Sequence, residues 1–203
     1  TGRELLELAN NSTKNNEKPL VVANPSFDLD RALITSTETL IASQHRSGDL
    51  LSRTWKLLPG TAIEGKTIAQ ITDAKLLTQK KATALAIEKA NTPKIFHIAS
   101  HAYYLPPEAN NIENPLLRSG IVLAGANNPE NIEQDDGYLT ALEVTKLDLK
   151  GTQMVVISGC ESGKGDIQSG EGVYGLKRAI AVAGAKSSLL SLWKVDDAAT
   201  AAF

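Results

Sequence analysis

The chain has 203 residues, of which 42% are hydrophobic and 22% are charged, and its formal net charge is −2. This balance is typical of one globular domain, and it leaves no basic surface for nucleic acid or for an anionic membrane. The longest apolar run is far too short to cross a membrane, and no signal-peptide pattern opens the chain. Cys160 is the single cysteine, so no internal disulfide can form and a cytoplasmic setting is expected.

Taken in chain order, five short apolar segments are predicted to be strands. They are Leu20–Ala23, Ile95–Ala99, Ile121–Ala124, Met154–Ile157 and Ser188–Trp193. Continuous apolar runs of this length are typical of strands buried on both faces of a parallel sheet. The sequence therefore predicts an α/β fold with a mostly parallel sheet flanked by helices on both faces. We expect residues 1–203 to be a single domain cut from a longer multidomain protein.

Helix signals lie between these segments. Residues 61–64 and 140–143 each fit a capping box, in which a Thr hydroxyl and a Glu carboxylate satisfy backbone N–H groups at a helix start. Thr78 is predicted to cap a further helix. The run Glu171–Ala183 carries its apolar residues on one stripe, and Gly184 stands where a glycine commonly ends a helix.

Two of the predicted strands end on reactive side chains, one on His101 and the other on Cys160. Ligands of open α/β sheets bind beyond the carboxyl ends of the strands, so two adjacent parallel strands would deliver both side chains to one edge. A thiol has an ordinary pKa of about 8.5, and a neighbouring imidazole raises its thiolate fraction and can protonate a leaving amine. The pattern predicts a catalytic dyad with Cys160 as the nucleophile.

The order of these residues along the chain narrows the class of enzyme. His45, His97 and His101 all precede Cys160. An α/β-hydrolase keeps its histidine after the nucleophile, and a papain-type site has its cysteine early in the chain. The caspase order, with the histidine about 50 residues before the cysteine, fits this sequence.

Other interpretations of the same residues are open. A lone cysteine or histidine at a strand end is most often a core residue, but the paired placement argues against that here. His97 is expected to be a core residue or to support His101. The two histidines share one side of a strand, yet a third ligand is missing nearby, so no metal and no other cofactor is predicted. The run 159–165 lacks the spacing of a phosphate-binding loop.

Four blocks of the sequence form a set. They are Leu57–Thr61 with Glu64 and residues 82–83, then Phe96–His101, then Asp136–Glu143, and finally Val155–Val173 with residues 183–185 and 191–200. In this order and spacing they resemble the CHAT-domain family, a branch of the caspase-like (clan CD) cysteine peptidases related to separase and caspases. The likeness covers most of residues 55–203.

The resemblance implies a caspase-like sheet, a His101/Cys160 dyad and an oxyanion hole made by the backbone N–H groups of Ala102 and Cys160. It also implies a bacterial protein that cuts a protein partner, with a tetratricopeptide-repeat region in the same chain or a regulatory partner.

Two positions depart from the family pattern. Ala102 stands where the family usually has Gly, and its Cβ restricts the backbone beside the hole. Gly159 stands where the family usually has Ala, a change expected to cost little on steric grounds.

The resemblance also suggests where a substrate would bind. Asp196 and Asp197 match the region that carries an acidic S1 residue in the related arginine-specific peptidases, so one of them is expected to favour a basic P1 side chain. Capping of the terminal helix is the alternative role for these residues. The stretch from Ser191 to Trp193 is expected to pair with the substrate as an added strand. Glu161, directly after the nucleophile, is also expected to contact the substrate.

The leading prediction is a cysteine endopeptidase that is latent until an adjoining sensor domain or a partner activates it. The alternative is a caspase-like pseudoenzyme that binds extended peptides without cutting them. The intact pair of His101 and Cys160 argues against this alternative, and Ala102 argues for it. A thiol redox sensor built on Cys160 is the weakest of the three, because the chain has no resolving cysteine.

Overall fold

The computed structural model describes residues 17–28, 53–105, 114–128, 135–159 and 171–190, and of residues 171–174 only the backbone. In chain order the elements are β1 (Leu20–Pro25), α1 (Pro59–Thr72), β2 (Lys75–Gln79), α2 (Ala84–Glu88), β3 (Ile95–Ala99), β4 (Ala102–Tyr104), a 3-10 turn (Pro115–Leu117), β5 (Ser119–Val122), β6 (Tyr138–Thr140), α3 (Ala141–Val144), β7 (Met154–Ser158), α4 (Glu171–Ala183) and β8 (Ser188–Leu190). Within these ranges, no helix combines the length and the apolar character that a membrane span requires.

The main sheet has five parallel strands in the order β2-β1-β3-β7-β8. Four of its strands, β1, β3, β7 and β8, begin at the residues where the predicted apolar segments begin. Long connections carrying helices join these parallel strands, as parallel pairing requires. The predicted α/β fold with a mostly parallel sheet is confirmed.

A second, smaller sheet has three antiparallel strands in the order β4-β5-β6. It contains the start of the segment Ile121–Ala124, so the prediction that this segment joins the parallel sheet is wrong. All four residues of β5 are buried, because Ile121 packs into the main core and Val122 into a second cluster on the opposite side. Burial on both faces produced the continuous apolar run that is usually typical of a parallel strand.

Of the predicted helix caps, the one at Thr140 is confirmed and the one at Thr78 is wrong. Thr140 caps α3 in a capping box with Glu143, as predicted. Thr78 lies inside β2 instead, and the side chain of Thr83 caps α2. Because β2 is half-exposed at an edge of the sheet, its sequence lacks the apolar run that marked the central strands.

The capping box predicted at residues 61–64 is also wrong, because α1 begins earlier, at Pro59. Proline at the first helical position presets φ, and its missing N–H would have had no partner there. The Thr61 hydroxyl donates to the Leu58 carbonyl over 2.7 Å. The predicted bounds of α4 are confirmed: the helix ends at Ala183 and is followed by Gly184, whose φ of 104° suits glycine.

The two faces of the main sheet have different neighbours. Val21 and Ala23 of β1 pack towards α1, where Ile68 and Ala69 cover them. The alternate residues Leu20 and Val22 belong to the main core, which α2, α4 and the small sheet complete. His97 lies in register with Val21, so it faces α1 rather than the main core.

Candidate active site

The candidate site lies where β3 and β7 end. These strands are direct neighbours, and Ala99 is paired with Ser158 at the end of the register. The pairing continues for one more bond, in which the Ser100 N–H donates to the Ser158 carbonyl over 3.1 Å. The chain segments that lead to His101 and to Cys160 therefore leave the sheet side by side.

Gly159 occupies the closest approach between the two segments. A Cβ at this position would overlap the carbonyl oxygen of Ser100. Glycine is therefore accommodated here without steric cost, as expected, whereas the family's usual alanine would not fit unless the backbone moved. Cys160 follows in the sequence and lies outside the described residues, as do the other predicted substrate-binding residues. These are Glu161, Ser191, Trp193, Asp196 and Asp197.

The imidazole of His101 lies close to two aromatic rings. The Phe27 ring is 5.4 Å away and the Trp55 ring 5.1 Å away, both tilted by just over 40°. The Trp55 indole N–H donates to the Tyr138 hydroxyl over 3.0 Å, and this hydroxyl donates to the Ala126 carbonyl over 3.1 Å. These contacts fix the orientation of the Trp55 ring beside the imidazole.

A backbone carbonyl selects the tautomer of His101. Nε2 lies 2.8 Å from the carbonyl oxygen of Lys56. A carbonyl oxygen can only accept a hydrogen bond, so Nε2 must carry the proton. In the neutral ring Nδ1 is then the nitrogen that can accept a proton. The Lys56 side chain plays no part in this contact, so no pattern of side chains could have predicted it.

His97 forms a buried pair with Glu64. Nε2 of His97 lies 2.8 Å from Oε1 of Glu64, and the two side chains are only 7% and 9% exposed. The pair joins the middle of α1 to β3, four residues before His101. The prediction that His97 is a core or supporting residue fits this contact. The capping-box pattern predicts a capping role for Glu64, whereas in the structure its carboxylate faces the sheet and pairs with His97.

The two histidines thus have separate partners and do not converge on one point. Among the residues that the structure describes, no group of three or more histidine, cysteine, aspartate or glutamate side chains is arranged to hold a metal ion.

The backbone N–H of Ala102 points away from the small sheet. The Val122 N–H donates to the His101 carbonyl over 2.8 Å, and Ala102 is the next residue along, opposite Ile121. Hydrogen-bonded and non-hydrogen-bonded pairs alternate along an antiparallel ladder, so Ala102 takes a non-bonded position. Since β4 is an edge strand of this sheet as described, the outward N–H of Ala102 is not used in pairing with β5.

The five-stranded parallel sheet with a histidine just beyond its central strand defines a caspase-like α/β protein. A family model described as the CHAT domain matches residues 1–203. The chain therefore belongs to the CHAT-domain family, which is a caspase-like clan CD family. A comparison with curated protein sequences finds no match.

Proposed function

We propose that this chain is a cysteine endopeptidase in which Cys160 is the nucleophile and His101 its proton acceptor. The observation that carries the proposal is the register between β3 and β7, which brings the segments leading to the two residues out of the sheet together. The family supports a peptidase-like fold, and the chain retains both residue types that the reaction requires.

The hydrogen bond from His101 to Lys56 gives the imidazole a defined role in this mechanism. With the proton held on Nε2, Nδ1 takes the proton of the Cys160 thiol, and the thiolate sulfur attacks the carbonyl carbon of the substrate. When the tetrahedral intermediate collapses, Nδ1–H gives its proton to the leaving amine. A water molecule, deprotonated by the same nitrogen, then hydrolyses the thioester and releases the acid.

The intermediate carries a negative oxygen that needs fixed donors. The outward N–H of Ala102 and the N–H of Cys160 are the proposed pair. The direction of the Ala102 N–H, away from β5, supports its part in this role. The Cβ of Ala102 does not remove the donor, so the family's usual glycine is not required for this function.

The remaining parts of the proposal concern the substrate and the context of the domain. Glu161, Ser191 and Trp193 are proposed to contact an extended protein substrate, and Asp196 or Asp197 to favour a basic P1 side chain. We further propose a single domain of a longer cytoplasmic bacterial protein. A tetratricopeptide-repeat region or a partner would hold it latent until activation.

The test is active-site labelling of the full-length protein. Acyloxymethyl ketone probes with Arg, Lys, Leu or Asp at P1 are compared on the wild type, Cys160→Ala and His101→Ala, with thermal melts to show that each variant is folded. We expect labelling of the wild type only. A folded full-length protein that no probe labels, in the presence of its activating partner, would contradict the peptidase and support the peptide-binding pseudoenzyme.

The P1 preference is tested in the same series. Arg and Lys probes are expected to label fastest, and Asp196→Ala or Asp197→Ala is expected to lower that preference. A preference for Leu or Asp at P1 that neither variant changes would remove the S1 role of these residues while leaving the peptidase intact.

A further inference from the structure

The side-chain amide of Asn127 forms hydrogen bonds with both the backbone N–H and the backbone carbonyl of Trp55. Its Oδ1 accepts from the Trp55 N–H over 2.7 Å, and its Nδ2 donates to the Trp55 carbonyl over 3.0 Å. The second Nδ2 proton goes to Oδ1 of Asp28 over 2.8 Å. The acceptor and both donors of the amide are therefore engaged, which fixes its orientation.

The same residue also holds the other aromatic neighbour of His101. The backbone N–H of Asn127 donates to the Phe27 carbonyl over 3.1 Å. Phe27 and Trp55 belong to segments far apart in the sequence, and the rings of both lie close to the imidazole. Asn127 is the point at which these two segments are tied together.

The hydrogen bonds between Asn127 and the Trp55 backbone are linked to the imidazole of His101 by one further residue, Lys56. Lys56 follows Trp55 directly, and its carbonyl oxygen accepts the Nε2 proton of His101. The placement of a backbone carbonyl is set by the chain on either side of it, so fixing the N–H and the carbonyl of Trp55 also limits where the Lys56 carbonyl points.

We infer that Asn127 is a positioning residue for His101, which holds the Trp55–Lys56 backbone and the Phe27 segment so that the imidazole keeps its place and its Nε2–H tautomer. This inference rests on the proposed function for its kinetic consequence, but the geometry it describes does not. Aspartate cannot replace this residue, because it lacks the two donors and would set a second carboxylate against Asp28.

The test compares Asn127→Asp with Asn128→Asp in the full-length protein. Asn128 is the exposed neighbour of Asn127, and its backbone N–H donates to the Gly125 carbonyl. The control therefore makes the same chemical change at a residue whose side chain has no hydrogen bond to Trp55 among the described contacts. Asn127→Ser removes the three side-chain contacts without adding a charge and serves if the aspartate variant does not fold.

Two measurements are made on each variant. The first is the inactivation of the enzyme by the best probe, resolved into the maximal rate kinact and the half-saturating concentration KI. The second is the 15N resonance and water-exchange rate of the His101 Nε2 proton, assigned with His101→Ala, which needs no catalytic activity.

For Asn127→Asp we expect kinact to fall by about 10- to 100-fold with KI nearly unchanged, because a small misplacement of a reacting group has costs of this order. The Nε2 proton should exchange faster, and Asn128→Asp should match the wild type. The double variant Asn127→Asp/Asp28→Asn restores a donor between the two side chains and should recover part of kinact.

An unchanged Nε2 resonance and exchange rate in folded Asn127→Asp would overturn the inference, as would an unchanged kinact in an enzyme that labels. If the wild type itself does not label in the presence of its activating partner, the peptidase proposal fails. The Nε2 measurement then still decides whether Asn127 positions His101.

Discussion

At the scale of single residues, the site depends on one contact that leaves no room for a side chain. Gly159 lies against the Ser100 carbonyl, and this contact lies between the two chain segments that leave the sheet. A larger residue would separate these segments just before Cys160. The position therefore links the packing of the sheet to the proposed nucleophile.

Gly159→Ala should destabilise the fold by about 1–3 kcal/mol, the usual range for overpacking a close contact. Chemical denaturation monitored by fluorescence measures this change in the free energy of unfolding. Ser158→Ala is the control, since it alters the neighbouring side chain and keeps the carbonyl that accepts from Ser100. A Gly159→Ala variant as stable as the control would show that the backbone yields without cost.

A second residue-scale effect concerns Glu88, whose pKa is raised above its ordinary value of 4.5. Partial burial of the carboxyl is the main cause, and the carboxylates of Glu143 and Asp135 add to it, while Lys146 opposes them. The folded state therefore favours the protonated acid, and its ionisation costs stability once the pH rises above 4.5.

Glu88→Gln should accordingly melt at a higher temperature than the wild type at pH 7. The difference should shrink as the pH falls towards 4, where the wild-type carboxyl is mostly protonated in both the folded and unfolded states. Thermal melts at the two pH values make the comparison. An equal advantage at both pH values would mean that charge is not its cause.

At the scale of elements, α1 is held against the sheet by two unlike contacts. The carboxylate of Glu64 meets His97 beneath the helix. One residue later, Gly65 lies so close to Ala23 that a Cβ there would overlap the alanine methyl. A polar pair and a glycine at successive positions explain why this helix carries only a weak apolar stripe, and why its inner face was hard to identify from the sequence.

The short helix α3 depends on its capping box. The Thr140 hydroxyl accepts from the Glu143 N–H over 3.2 Å, and the Glu143 carboxylate accepts from the Thr140 N–H over 2.7 Å. Thr140→Ala should cost about 1 kcal/mol of stability, as the loss of an N-cap usually does. Thr140→Ser, which keeps the hydroxyl, should lose much less in the same denaturation series. Equal losses would assign the effect to the threonine methyl instead.

At the scale of the whole molecule, His101 lies at the junction of the two sheets. The chain leaves the parallel sheet at Ala99 and enters the antiparallel sheet at Ala102, and Ser100 and His101 make the connection. Each sheet contributes a bond here, one from Ser100 to Ser158 and one from Val122 to His101. The imidazole is thus carried by backbone that both sheets restrain.

This architecture predicts an order of local stability. Amides of β3, with a strand on either side, should exchange with solvent more slowly than amides of β2, which is an edge strand of the sheet as the structure describes it. Hydrogen exchange followed by mass spectrometry of peptides from the two strands tests this. Equal protection of β2 would indicate that a further segment or partner covers that edge.

The sequence alone predicted the parts of this protein that depend on local pattern. Apolar runs marked the starts of β1, β3, β7 and β8, a pattern that depends only on neighbouring residues. The strand β1 is buried on both faces, whereas Leu189 of β8 is 61% exposed although its strand is equally apolar. The capping box of Thr140 and the end of α4 before a glycine could also be predicted, since both depend on residues only a few positions apart. The CHAT family and the order of His101 before Cys160 likewise needed only the sequence.

Tertiary structure decided what depends on contacts between distant residues. The burial of β5 on both faces, the pairing of Glu64 with His97 and the closeness of Gly159 to Ser100 each join segments that the sequence keeps apart. The hydrogen bond that orients His101 is accepted by the backbone carbonyl of Lys56, a group that every residue possesses. A pattern of side chains cannot report such a contact, because only the path of the folded chain brings that carbonyl to the imidazole.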